Sequence, residues 1–234
     1  MMNPSRKVHA CFLALCVAAG LSLAVPGVLL AKEPLPQTSP EGMQLQHDTD
    51  ARAVYLMPGA TFGQYDRVVI VDAYVEFDKD WQRQYNQDAG GMRSRVTSED
   101  MDRMKAGIAA AFKKVFTEEL QANGGYKVVD TPDPTALILK PAIINLQVTA
   151  PDLQTSGIDR TLVRSAGEMT LYLELWDPVS NTIMARVMDP QVDDGVTRVA
   201  TRVTNTAAAD RILREWAEKL RKHLDAARGQ KGPA

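Results

Sequence analysis

The stretch EMTLYLELWDPVSNTIMARVMD, residues 168–189, sets the fold class. Met169, Leu171, Leu173 and Leu175 alternate with Thr170, Tyr172, Glu174 and Trp176, the period of a half-buried strand. DPVSN supplies a turn, and TIMARVMD returns as the antiparallel partner of a hairpin. One face is aliphatic. The other carries Tyr172, Glu174 and Trp176 and, on the returning strand, Met184, Arg186 and Met188.

Upstream, RVVIVDAYVEF (67–77) predicts one strand with Val69, Val71, Ala73, Val75 and Phe77 on a common face. YKVV and ALILKPAIINLQV predict further strands, Pro141 marking an edge or a bulge. TSED (97–100) reads as a helix cap, followed by Met101, Met104, Ile108, Phe112, Val115 and Leu120 at helical spacing and stopped by Asn123-Gly124-Gly125. A second helix is capped by Thr204 or Asn205 and carries Ala209, Ile212, Trp216, Leu220 and Leu224. A right-handed crossover makes the first two strands parallel. The expected architecture is a two-layer α+β domain: a mixed/antiparallel sheet of about five strands with two long helices on one face. The opposite face is either naked or covered by residues 51–66, and the pattern supports both.

The N-terminus has Arg6 and Lys7 before the apolar run ACFLALCVAAGLSLAVPGVLLA, the make-up of a secretory signal cleaved after Ala31. An uncleaved membrane anchor is the alternative, since about 20 apolar residues can span a bilayer. The chain then divides into a signal (1–31), a proline-marked flexible tether (32–50), one α+β domain (51–228) and a disordered tail (229–234). The expected location is the periplasm.

Composition excludes several chemistries. Cys11 and Cys16 both lie in the signal, so the mature chain has no disulfide, thiolate nucleophile or thiolate-bound zinc. Removing Arg6 and Lys7 from 27 basic residues leaves 25 against 29 acidic ones, a net −4. That balance argues against nucleic acid, which needs a clustered basic surface. His9 leaves with the signal, His47 lies in the tether and His223 lies near a helix end, so no core imidazole is available for a triad or a shuttle. Neither GxGxxG nor GxxxxGK[ST] occurs. No cofactor is expected.

The remaining candidates cluster in AYVEFDKDWQRQYN (73–86). In an extended strand Glu76, Asp78 and Asp80 would share a face at intervals of about 7 Å. A calcium loop begun at Glu76 fails, with Trp81 where Gly is needed and Gln87 where a bidentate acid is needed, so no metal site is assigned. The wet end of a strand is the first expectation and a binding rim the second: Trp81 and Tyr85 offer stacking faces, and Asp78, Asp80 and Arg83 orient a polar partner. Tyr172 and Trp176 complete the candidate binding set on the sheet face.

YLMPGATFGQYDRVVIVDAYVEFDKDWQRQYN, with TRVTNTAAADRILREWAEKLRKHLDAA, resembles an uncharacterised bacterial family, the domain of unknown function numbered thirty-three thirteen. Pro58-Gly59, Tyr65-Asp66-Arg67, Asp78, Trp81 and Trp216 carry the resemblance. It implies an exported envelope protein, lipoprotein-like but without a lipid-accepting Cys here, and it assigns no catalytic residue. The expectation for function is a non-enzymatic periplasmic module that binds an envelope protein or a small ligand. The alternatives are a carboxylate-dependent hydrolase of an envelope glycan and self-association through an edge strand.

Overall fold

The hairpin read from residues 168–189 sits near the middle of an eight-stranded sheet. In the computed structural model, residues 34–88, 95–149, 151, 161–163, 167–192, 198–200 and 202–229 are described. The signal 1–31 and the tail beyond Gly229 lie outside them, as do most of residues 150–165, which the sequence marks as a long connection without strong periodicity, and the acids Asp193 and Asp194, which it marks as a solvated turn before Gly195. The strands are β1 Gln44–Gln46, β2 Ala53–Leu56, β3 Arg67–Ile70, β4 Tyr74–Phe77, β5 Lys127–Val128, β6 Ala136–Val148, β7 Thr161–Val163, β8 Gly167–Trp176, β9 Ile183–Val192 and β10 Arg198–Ala200. The helices are α1 Trp81–Asp88, α2 Ser98–Gln121 and α3 Arg202–Ala227.

The sheet order is β1-β2-β9-β8-β6-β3-β5, with β4 also on β6, and β7 and β10 pair separately. β3 runs parallel to β5 and β6, whereas β8 and β9 are antiparallel. The expected count is therefore corrected: among the described residues the main sheet has eight strands rather than about five, and three α-helices form rather than two. The α+β class and the mixed sheet stand.

Three local causes account for the difference. Residues 67–77 do not form one strand. Val68 and Ile70 face the core before a break at 71–73, and Val75 and Phe77 face it afterwards. The break shifts the inward set by one residue and leaves Val71 exposed. Pro141 lies opposite this break: β3 pairs with β6 as far as Leu139 and β4 resumes at Ala142, so the missing N–H faces no strand on that side. The polar-looking 32–50 stretch is not a tether from residue 35 onward. Met43 is fully buried, β1 adds to β2, and Leu35 and Leu45 pack on the same small cluster. The third cause is α1, a short helix whose Trp81 stacks on Phe77 at 4.5 Å and is buried.

α2 and α3 pack together over one face of the sheet. Phe112, Val115, Phe116 and Leu120 from α2, and Leu213, Trp216, Ala217 and Leu224 from α3, meet Leu137, Leu139, Ile143, Leu171 and Leu173. Thr97 caps α2 in a reciprocal box with Asp100. Of residues 51–66, β2 extends the sheet beside β9, and Ala53, Tyr55 and Met57 pack in the small cluster with Trp176. Phe62 joins the main core, and Tyr65, almost wholly buried, donates to Asp177 Oδ2 at 2.6 Å.

Candidate functional site

The structure separates the sequence-predicted residues into two groups. Asp78, Asp80, Trp81, Arg83 and Tyr85 lie where β4 enters α1. Asp78 Oδ1 accepts from the Asp80 backbone N–H at 3.0 Å, and Asp80 pairs with Arg83 at 2.8 Å. The Arg83 hydrogen bond holds the Asp80 carboxyl below its ordinary pKa. Trp81 is no stacking platform: it is buried, donates to Val148 O at 3.2 Å, and has Tyr85 against its ring at 5.6 Å. This end of the strand therefore anchors α1. Among the described residues no group of acids, cysteines or histidines is placed to hold a metal ion.

Tyr172 and Trp176 occupy the sheet face opposite the helices, where strand alternation puts them. Their environment is organised by Glu174, which lies between them. Tyr172 OH donates to Glu174 Oε1 and Trp176 Nε1 to Oε2, both at 3.0 Å. Arg186, directly across on β9, adds Nε at 3.1 Å and Nη2 at 2.8 Å to Oε1. Burial works against ionisation of Glu174, but these donors overcome it and leave its pKa lowered. Burial first, and the adjacent Glu174 second, push the Tyr172 phenol up to about 12.

Three contributors were missed in the sequence. Lys140, cross-strand from Glu174, holds its ammonium 3.6 Å from the centre of the Trp176 ring. Tyr74 is 60% exposed and lies in one cross-strand row with Ala142, Tyr172 and Met188. Glu41 grips Arg186 from outside the sheet, accepting from Nη1 at 3.1 Å and Nη2 at 2.9 Å. Tyr74 and Lys140 were available from alternation once the break at 71–73 is known. Glu41 lies 145 positions from its partner and left no local signal. Met184, expected on this face, points instead into the main core beside Tyr65, because the register shifts at the β8–β9 turn.

The Glu41 contact has a pH consequence. The Arg186 and Ser39 hydrogen bonds bring the Glu41 carboxyl down to about 2 from its ordinary 4.5. A carboxyl lowered on folding stabilises above its unfolded value, and that contribution is lost as pH falls towards the folded one. Melting temperature should fall between pH 5 and pH 2, and Glu41→Gln should make that fall shallower while leaving the other acids' contribution. Thermal scans of both chains across that range check it.

A half-open cleft of about 370 Å³ lies at the end of the sheet where β6 nears Val148 and β8 begins, lined by Asp78, Asn145, Gln147, Glu168, Thr170 and Gln191 among others. Asn145 adopts φ +53° where β6 loses register with β8. This brings Asp78 and Glu168 to one cleft, whereas Asp80 is engaged by Arg83.

A family model described as "Protein of unknown function (DUF3313)" matches residues 38–220. No curated protein matches the chain. Among solved structures, a PelC dodecamer from Paraburkholderia phytofirmans shares 11% identity, covering 72% of this chain and 96% of that one at a TM-score of 0.37. A single-substitution variant of that dodecamer shares 9%, covering 72% and 95%, at 0.35. A putative neuraminyllactose-binding hemagglutinin homolog from Helicobacter pylori shares 11%, covering 73% and 90%, at 0.31. Likeness at these TM-scores transfers nothing to this chain. Among the described residues no helix is long and apolar enough to cross a membrane.

Proposed function

We propose a docking role for this chain, which belongs to the DUF3313 family of proteins of unknown function. It is a periplasmic docking module that receives a segment of an envelope protein on the sheet face opposite its helices. The observation that carries this is the Glu174-centred network, which holds Tyr172, Trp176 and Arg186 in fixed, half-buried positions beside the exposed Tyr74. Aromatic, Met and Arg side chains fixed in this way bury much area at little further entropic cost, the make-up of interface cores.

Ala142 lies in the middle of the row, between Tyr74 and Tyr172. Ala142→Arg should reduce partner recovery at least 10-fold while far-UV circular dichroism and melting stay near wild type. Unchanged recovery contradicts the proposal. A partner that proves to be a second copy would show as concentration-dependent sedimentation.

The cleft supports a second reading, a carboxylate-dependent hydrolase of an envelope glycan, because Asp78 and Glu168 both line it. Under that reading Asp78→Asn abolishes turnover and spares partner binding. Under the docking reading no turnover exists to lose.

A further inference from the structure

Residues 35–46, LPQTSPEGMQLQ, form a small hairpin over part of the proposed docking face. Their backbone bonds close largely on themselves: Ser39 N–H donates to Met43 O at 2.8 Å, Gly42 N–H to Ser39 O at 2.9 Å and Leu45 N–H to Gln37 O at 2.9 Å. Thr38 bridges to Gln44, and Gly42 takes φ +88° at the turn. A few contacts fasten this hairpin to the sheet. Met43 is wholly buried among Ala53, Tyr55 and Ile183, with Trp176 and Met188 beside them. Glu41 pairs with Arg186, Tyr55 OH donates to Pro36 O at 2.9 Å, and the three-residue β1 pairs with β2.

This cluster is separate from the main core beneath the helices. Lifting the hairpin would therefore leave the helix-packed layer intact. The fasteners are the buried Met43, a Glu41–Arg186 pair whose carboxylate side chain is 40% exposed, the Tyr55–Pro36 hydrogen bond and a three-residue strand pairing, a set that a segment offering the same contacts can replace. Charge selects the competitor. With Glu41 gone, Arg186 and Lys140 would face Glu174 alone, an excess of one positive charge beside Trp176 and Tyr172.

Resting on the docking role above, we propose that residues 35–46 are a displaceable strap, and that the surface beneath takes a partner turn bearing a carboxylate and, two residues later across a left-handed glycine, a flexible apolar side chain. The chain's own Glu41 and Met43 show the spacing. The partner enters by competition, so strap and partner exclude each other.

The test is a titration of the synthetic peptide LPQTSPEGMQLQ into the full mature chain carrying Glu41→Gln and Met43→Ala, followed by calorimetry. The substituted chain should bind with a Kd of about 10 μM, at least 10-fold tighter than wild type. Peptide with Gln in place of its Glu should lose about 10-fold. Equal affinity for wild type and variant, or indifference to the peptide's Glu, overturns the proposal, as does no binding by a variant that melts cooperatively.

Should the variant fail to fold, hydrogen exchange on the wild type decides. The Met43 and Leu45 amides should exchange at least 10-fold faster than those of β8 under conditions where the domain stays folded. Exchange of both sets only through global unfolding sinks the strap. A failed titration alongside a retained Ala142→Arg effect removes the strap and leaves the docking role in place.

Discussion

Replacing Arg221 by alanine is expected to cost about 3–5 kcal/mol of unfolding free energy, the range for breaking a buried ion pair from one side. Arg221 Nε donates to Asp225 Oδ2 at 2.6 Å, and Asp225 is only 2% exposed. Its Nη1 reaches Glu119 O at 3.2 Å and Leu120 O and Ala122 O, each at 2.9 Å. A single guanidinium on α3 thus adds a second donor to carbonyls at the C-terminus of α2 that already accept from the backbone N–H groups of Ala122, Tyr126 and Gly125. Without it the buried Asp225 carboxylate loses its ion-pair partner, and of the polar ties between the two helices the Arg214 pairs with Glu118 and Glu119 are left. The fit is close enough that a Cβ at Gly125 would collide with both Nη1 and Leu120 O. Arg221→Lys should recover only part of the loss, because one ammonium lacks the planar fork that reaches both the acid and the carbonyls. Urea titration of the three chains measures it.

Asp189→Ala is expected to cost about 3 kcal/mol, several degrees of melting temperature for a domain of this size. Asp189 lies on the helix-facing side of β9, directly across from Leu171, and is 5% exposed. Its carboxylate accepts from Trp216 Nε1 at 3.0 Å, Arg52 N–H at 3.1 Å and Gln191 Nε2 at 3.0 Å, with Lys219 Nζ at 3.7 Å. Alanine strands the buried indole N–H as well as removing the charge. Asp189→Asn keeps one acceptor and should lose about half as much. Thermal unfolding of both variants distinguishes a bonding role from simple space filling, because asparagine has nearly the same volume.

Much of this architecture follows from local pattern. The alternation in residues 168–176 orients Tyr172 and Trp176 correctly, and the Thr97–Asp100 box starts α2 where expected. What the pattern hides has physical causes. The break at 71–73 reverses strand parity without any Gly or Pro to announce it. Trp81 is followed by Gln82, Arg83 and Gln84, so composition suggests surface, yet stacking on Phe77 and a hydrogen bond to Val148 O draw it inward. Residues 35–46 look too polar to pack. A single Met43 is enough once Ala53, Tyr55 and Ile183 form its socket, and those residues come from strands far apart in the chain. The Glu41–Arg186 pair is equally non-local, so half of the candidate site is defined only by the tertiary fold.

The docking role stands or falls on whether the row Tyr74–Ala142–Tyr172 on the helix-free face meets a partner in the envelope. A photoreactive aromatic amino acid in place of the exposed Tyr74 and, as a control, at position 114 on the exposed side of α2, followed by irradiation in intact cells, answers this. The docking role predicts a discrete adduct with one envelope protein from position 74, lost in the presence of Tyr172→Ala, and none from position 114. Adducts equal at both positions, or absent from position 74 while the protein is folded and exported, would contradict it.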